Sequence, residues 1–100
     1  MDEQKQAQQE IKLSFPEQLR GGAYCNILQI RHTKEEFILD FMMITPPTGA
    51  IVSRVIMSPG HMKRTLSALQ TNIAKYEEKY SPIKEAPEPI EERKIGFKTS

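Results

Sequence analysis

The chain has 100 residues, of which 38% are hydrophobic, with a formal net charge of +1 and one cysteine. This length allows one domain, the near-neutral charge gives no overall attraction to nucleic acid, and a lone cysteine excludes an internal disulfide framework. No apolar run reaches the ~18 residues of a membrane-spanning helix, and the polar start has neither the basic nor the apolar region of a secretory signal. These features predict a cytoplasmic protein without a membrane partner.

The two ends of the chain differ in composition from its middle. Residues 1–10 are polar and rich in glutamine, and residues 83–100 are rich in proline and balanced charge. Neither stretch has the apolar periodicity of a core, so we predict a disordered N-terminal arm and a disordered C-terminal tail. We predict that residues 11–82, between these two ends, form a single α+β domain.

Three stretches of that domain are predicted to form strands, and a fourth is a weaker candidate. They are Ala23 to His32, Glu36 to Thr45 and Ala50 to Met57, with the fourth at residues 11–15, where apolar and polar residues alternate. The loop from Pro46 to Gly49 separates the last two. The fold class predicted is therefore α+β, an antiparallel meander of three to four strands followed by one long C-terminal helix across one face.

The pairing of these strands is predicted only in part. A two-residue turn at Thr33-Lys34 would set Ile30 against Phe37, but a four-residue loop keeps the same side chains on the same face, so the turn type stays open.

In the next hairpin, Asp40 is predicted to face Arg54, which would place Ile38 against Ile56 and Met42 against Val52. We interpret the opposite charges of Asp40 and Arg54 as a structural cross-strand pair.

The second strand is apolar on both faces. Phe37, Leu39, Phe41 and Met43 alternate with Ile38, Met42 and Ile44, and Asp40 is the one charged residue among them. A strand with one face in water should alternate apolar with polar residues. Because one helix covers one face at most, we expect a second subunit or a bound client on the other.

The helix is predicted over Ser58 to Tyr80. Ser58 is a suitable N-cap, Pro59 suits the first helical position, and Ser81-Pro82 ends the helix. Its apolar residues are spaced by four and three, as in a helix-pairing seam. The same stripe would also serve a helix packed on its own sheet, and both interpretations stay open. The residues predicted at an oligomer interface are Ile38, Met42, Ile44, Met62, Leu66, Leu69, Ile73 and Tyr76.

The middle of the chain resembles a family of small prokaryotic proteins. The resemblance rests on Tyr24 to Ile30, His32-Thr33, Glu36-Phe37, Leu39-Asp40-Phe41, Arg54-Val55, Ser58-Pro59 and Tyr76-Glu77. It covers roughly residues 22–80 and points to the domain-of-unknown-function family numbered three-four-six-seven. The resemblance implies a compact domain of strands and a helix, and it implies no activity.

No group of residues in the sequence points to catalysis. Cys25 and His32 are seven residues apart and would lie on opposite faces of one strand, so they cannot act as nucleophile and base. The histidines, Cys25 and Asp40 show no metal-ligand spacing, and the start of the helix lacks the glycine pattern that binds nucleotide phosphates. We expect no enzyme activity, no cofactor and no metal.

Two functions are predicted from different classes. The first is a non-catalytic homo-oligomeric protein-interaction module, an adaptor or chaperone-like binder, with itself and an unidentified protein as partners. The alternative is a small dimeric nucleic-acid-binding protein. Its contacts to an anion or to nucleic acid would come from the basic residues Arg31, Lys34, Arg54, Lys63 and Arg64.

Overall fold

A computed structural model describes residues 8–90 of the chain. Three antiparallel strands, β1 (Ile27–His32), β2 (Phe37–Thr45) and β3 (Thr48–Met57), form one sheet in the order β1-β2-β3. One long helix, α1 (Pro59–Lys79), follows β3. The predicted α+β meander with a C-terminal helix is confirmed. Residues 1–7 of the predicted arm and 91–100 of the predicted tail lie outside the described residues.

The first hairpin has the longer of the two turns considered. His32 pairs with Phe37 and Ile30 with Leu39, so residues 33–36 form a four-residue loop. The Thr33 hydroxyl accepts hydrogen bonds from the backbone N–H of Glu35 and of Glu36, both at 3.1 Å. The two-residue turn was wrong by two positions. A shift of two residues in the pairing keeps every side chain on the same face of its strand, so the predicted faces are unchanged.

The second hairpin confirms two predicted pairs and corrects a third. Asp40 pairs with Arg54 and Ile38 with Ile56 as expected, but Met42 pairs with Ile51 and not with Val52. The strand β3 carries one extra residue at Val52, which is a β-bulge and moves the pairing by one position. A two-residue turn at Pro46-Pro47, whose peptide bond is cis, closes this hairpin.

The strand predicted at residues 11–15 is wrong. The structure has no strand there, and residues 8–26 contain one short 3-10 turn at Glu17–Leu19. The alternating side chains Ile11, Leu13 and Phe15 are exposed. Alternation alone does not make a strand, because a strand also needs a neighbour for its backbone hydrogen bonds, and residues 11–15 pair with none of the three strands.

The strand β1 starts at Ile27, later than the predicted Ala23. In place of further strand residues before Ile27, the side chain of Asn26 forms hydrogen bonds with the backbone of β2. The Asn26 Nδ2 donates to the carbonyl oxygen of Ile44 at 2.9 Å, and the Ile44 N–H donates to Asn26 Oδ1 at 2.8 Å. The side-chain amide thus takes both backbone groups that a longer β1 would have paired.

The buried side chains of the described residues all lie on β2. They are Leu39, Asp40 and Met42. Because β2 is the central strand, cross-strand neighbours flank its side chains on both faces. The edge strands have no such cover, and most of their residues are exposed.

The sequence predicted that the helix lies across one face of the sheet, and this part of the prediction is wrong. Only Ser58 separates the end of β3 from the start of α1. A connection of one residue is shorter than the usual link between a strand and a helix that packs back on it. The helix therefore extends away from the sheet, and from Leu66 to Tyr80 every side chain except Glu77 is exposed.

Candidate interaction site

The helix starts as its local sequence predicts. Ser58 Oγ accepts a hydrogen bond from the His61 N–H at 3.2 Å, and Pro59 occupies the first turn. The helix and the sheet meet only at this end, where Met57, Met62 and Thr65 are half-buried. The Thr65 hydroxyl lies 3.4 Å from the Met57 sulfur. This contact lies at the first two turns of α1. Near the other end of the helix, the Ile83 N–H donates to a carboxylate oxygen of Glu77 at 2.8 Å, and the apolar side chains from Leu66 to Tyr80 stay exposed.

The apolar stripe of the helix is a free surface. We call it the helix seam, and it consists of Met62, Leu66, Leu69, Ile73, Tyr76 and Tyr80. From Leu66 onward its members are between 49% and 62% exposed. The interpretation in which the stripe packs on its own sheet is therefore wrong. The alternative, pairing with a second helix, stays a prediction.

The pairing of the strands defines two faces of the sheet, because directly opposed residues share a side. The Leu39 face has Phe37, Leu39, Phe41 and Met43 on β2, with Leu28, Ile30, His32, Val55 and Met57 beside them. The Asp40 face has Ile38, Asp40, Met42 and Ile44 on β2, with Ile27, Arg31, Ile51, Arg54 and Ile56 beside them. Both faces are mainly apolar.

No helix covers either face within residues 8–90. At the edges of the Asp40 face, Ile56 is 52% and Ile51 is 48% exposed. On the other face, Leu28 and Ile30 are exposed to a similar degree. Apolar surface that is open to water on both sides of one sheet is unusual for a monomer.

The eight residues predicted at an oligomer interface divide between two surfaces. Ile38, Met42 and Ile44 lie on the Asp40 face, and the other five belong to the helix seam. Met42 is already buried by its neighbours, whereas Ile38 and Ile44 are half-buried.

The centre of the Asp40 face is an ion cluster of three residues. Arg54 Nε donates to Asp40 Oδ1 at 2.6 Å, and Arg54 Nη2 donates to Asp40 Oδ2 at 2.9 Å. Arg31 Nη2 donates to the same Oδ2 at 3.1 Å. The carboxylate is buried while both guanidinium groups are half-exposed. One anion thus holds two cations from the opposite edge strands.

The cluster changes the pKa of its members. Hydrogen bonding from Arg54 lowers the pKa of Asp40 below its usual value; burial opposes this effect and the bond from Arg31 adds to it. The hydrogen bond to Asp40 raises the pKa of Arg54. Asp40 is therefore ionised near neutral pH, and it neutralises one of the two arginine charges.

Sequence reasoning found the Asp40 and Arg54 pair and missed Arg31 as its third member. Arg31 lies opposite Ile38 and therefore diagonal to Asp40 on the same face. With the shorter turn, Arg31 would have been placed opposite Glu36, far from Asp40. The four-residue loop, one of the two lengths that the sequence left open, would have placed Arg31 diagonal to Asp40 and so predicted their contact.

The five basic residues predicted to contact anions are divided by the structure. Arg31 and Arg54 are held by Asp40. Lys34 lies in the loop between β1 and β2, and Lys63 and Arg64 lie near the start of α1. Residues 8–90 contain no group of three or more His, Cys, Asp or Glu side chains that could hold a metal ion. Over the same residues, no helix combines the length and the apolar character needed to cross a bilayer.

The sequence matches the model of one known protein family. The family model described as Protein of unknown function (DUF3467) matches residues 1–85. The chain belongs to the DUF3467 family. The match extends beyond residues 22–80, on which the resemblance was based, and includes the segment before β1. No curated protein and no solved structure matches the chain at a significant level.

The ion cluster of this DUF3467 member predicts a pH dependence of stability. Because folding lowers the pKa of Asp40, the stabilisation it gives is fully present above the unfolded pKa of about 3.9. It is lost as pH falls through the lower folded pKa, since the unfolded chain then binds more protons. We expect urea unfolding to show the wild type losing its advantage over Asp40→Asn as the pH falls below about 5 and through the lowered pKa of Asp40.

The matched control is Glu17→Gln, which removes a carboxylate paired with Arg20 on the exposed surface. Its stability should follow the wild type across the same pH range, because exposed ion pairs contribute little. If Asp40→Asn kept the full acid sensitivity of the wild type, another carboxylate would be responsible for it.

Proposed function

We propose that this DUF3467 protein is a non-catalytic, homo-oligomeric protein-interaction module that acts as an adaptor or chaperone-like binder. The observation that carries the proposal is the apolar surface left open on the helix seam and on both faces of the sheet. Such surface on a small protein is typical of interaction sites. Its burial against a second copy or a client is the favourable free-energy change that drives association.

The helix gives a second reason for a partner. In proteins, most of the stability of a helix comes from packing of its apolar face and not from intrinsic propensity. After Thr65 the 21-residue α1 has no such packing among the described residues. A partner on the helix seam would supply it.

The methionines support a surface that adapts to different partners. Met43, Met57 and Met62 are half-buried at the edges of the apolar surfaces. An unbranched thioether side chain can repack against surfaces of different shape. This flexibility favours a binder of varied protein clients over a site built for one small ligand.

The alternative, nucleic-acid binding, has weaker support. Five basic residues were predicted to contact nucleic acid. Asp40 partly neutralises two of them, Arg31 and Arg54, and the other three, Lys34, Lys63 and Arg64, are few for a nucleic-acid surface. The Leu39 face carries two phenylalanines, Phe37 and Phe41, but both are half-buried, whereas single-strand binders present exposed aromatic side chains on which bases stack.

The proposal is tested by the mass of the full chain in solution and by its effect on a client. We expect light scattering to give at least twice the chain mass of 11.5 kDa across a range of concentrations. We also expect the protein to slow the aggregation of a model enzyme during its thermal unfolding. A chain that stays a single copy and leaves the aggregation unchanged would contradict the proposal.

An oligonucleotide titration separates the two functions. Labelled single-stranded and duplex oligonucleotides should show no salt-dependent binding by fluorescence anisotropy if the module binds proteins. Binding that weakens steeply with salt, as phosphate contacts require, would favour the alternative.

A further inference from the structure

We infer that α1 pairs with α1 of a second copy as an antiparallel two-helix coiled coil centred between Gln70 and Asn72. The inference rests on the proposed homo-oligomer and specifies which surface is shared and in which direction. Its starting point is that the helix seam is exposed along its whole length after the second turn.

The helix seam has the spacing of a heptad repeat. Leu66, Ile73 and Tyr80 occupy one core position of the repeat, called a. Met62, Leu69 and Tyr76 occupy the other, called d. The alternation of four and three residues keeps such a stripe facing a partner helix. Each helix is about 31 Å long at 1.5 Å per residue, so the five seam residues within it, and Tyr80 at its C-cap, can meet a partner.

The antiparallel direction pairs unlike residues in the seam. In this direction an a residue packs beside a d residue of the second copy. The layers are Met62 with Tyr80, Leu66 with Tyr76 and Leu69 with Ile73, and each layer occurs twice. The two large tyrosines then face the smaller side chains, and Tyr80 of the second copy meets a thioether, which is a favourable contact. The parallel direction would stack Tyr76 on Tyr76 and Tyr80 on Tyr80.

Charges beside the seam favour the same direction. The flanking position called e is occupied by Lys63, Gln70 and Glu77. In the antiparallel pair, Lys63 faces Glu77 of the second copy, and Gln70 faces Gln70. A parallel pair would leave Lys63 without an acidic partner, since Ser58 occupies the flanking g position that faces residue 63, and Glu77 would face Asn72.

The position of the sheet is compatible with this arrangement. The sheet is attached at the first turn of α1, and the helix extends away from it. Antiparallel helices would place the two sheets at opposite ends of the pair. The Asp40 face and the Leu39 face of each copy would then stay available to clients.

Cysteine cross-linking tests the direction in the full-length chain. The exposed Cys25 is first replaced by serine, and Gln70→Cys or Lys63→Cys is then introduced. Both sites are exposed and occupy the same heptad position. We expect Gln70→Cys to form a covalent dimer on oxidation and Lys63→Cys to remain a single chain, because only residue 70 meets itself. A mixture of Lys63→Cys with Glu77→Cys should cross-link to each other.

Charge reversal tests the contact between Lys63 and Glu77 independently. We expect Lys63→Glu to weaken the dimer about tenfold at low salt, since each of two contacts becomes repulsive. The double variant Lys63→Glu with Glu77→Lys should restore the wild-type dissociation constant. Sedimentation equilibrium measures the dissociation constants of the wild type, Lys63→Glu and the double variant, and added salt should reduce the differences between them.

The outcomes distinguish the inference from the proposed function. A dimer that shows neither the cross-link at residue 70 nor the charge recovery would overturn the antiparallel pairing and leave the interaction module standing. A wild-type chain that remains a single copy and protects no client would overturn both.

Discussion

Replacement of Leu69 by glutamate is expected to convert the oligomer into single chains at concentrations where the wild type is fully assembled. Leu69 lies at the middle of the helix seam and is 56% exposed in the single chain. Its burial against a second copy would contribute about 1.5–3 kcal/mol on each helix. Loss of both leucines, with two like charges in their place, should raise the dissociation constant at least a hundredfold.

The measurement is sedimentation equilibrium, together with far-ultraviolet circular dichroism to follow the helix. We expect helical signal to fall with dissociation, because α1 loses the packing that supports it. The matched control is Thr71→Glu, which adds the same charge on the side of the helix opposite the seam. An oligomer that tolerates Leu69→Glu as well as Thr71→Glu would show that the seam is not the shared surface.

Truncation of Leu39 to alanine is expected to have the largest effect on folding. Leu39 is 5% exposed on the central strand, where Ile30 and Val55 flank it. Removal of a buried leucine side chain costs about 2–5 kcal/mol, depending on how well the site closes. A small domain has a total stability toward the low end of about 5–15 kcal/mol. The variant should therefore be largely unfolded at moderate urea concentrations where the wild type is folded.

The control for Leu39→Ala is Leu13→Ala, the same change at a side chain that is 88% exposed. It should alter the free energy of unfolding by no more than about 0.5 kcal/mol. Both variants are compared with the wild type at one protein concentration, since association stabilises the folded chain by mass action. Equal effects at the two sites would mean that the sheet does not supply the core.

The sequence was sufficient for features that depend on neighbouring residues. The helix starts at Pro59 behind the Ser58 cap and ends at Lys79, before Ser81-Pro82, as predicted. Capping and proline geometry act within one turn, so they can be read without a structure. The faces of β2 were predicted for a similar reason, because alternation along a strand is a local property.

The candidate site was predicted less completely. The seam residues were identified from their spacing, and Asp40 was matched with Arg54. The contact from Arg31 was missed because it depends on the length of the loop at residues 33–36, which the sequence left open. The fourth strand was predicted from alternation alone, and residues 11–15 have no neighbouring strand with which to pair.

The three strands, the helix, their order and the two faces of β2 could be predicted from the sequence alone, since these follow from local chemistry and periodicity. The absence of a fourth strand, the pairing beyond the bulge and the exposure of each apolar face depend on the tertiary structure. One residue between β3 and α1 directs the helix away from the sheet, and the bulge at Val52 changes the pairing beyond it. Both are effects of chain geometry at a single residue, and they leave the apolar surfaces open to a partner.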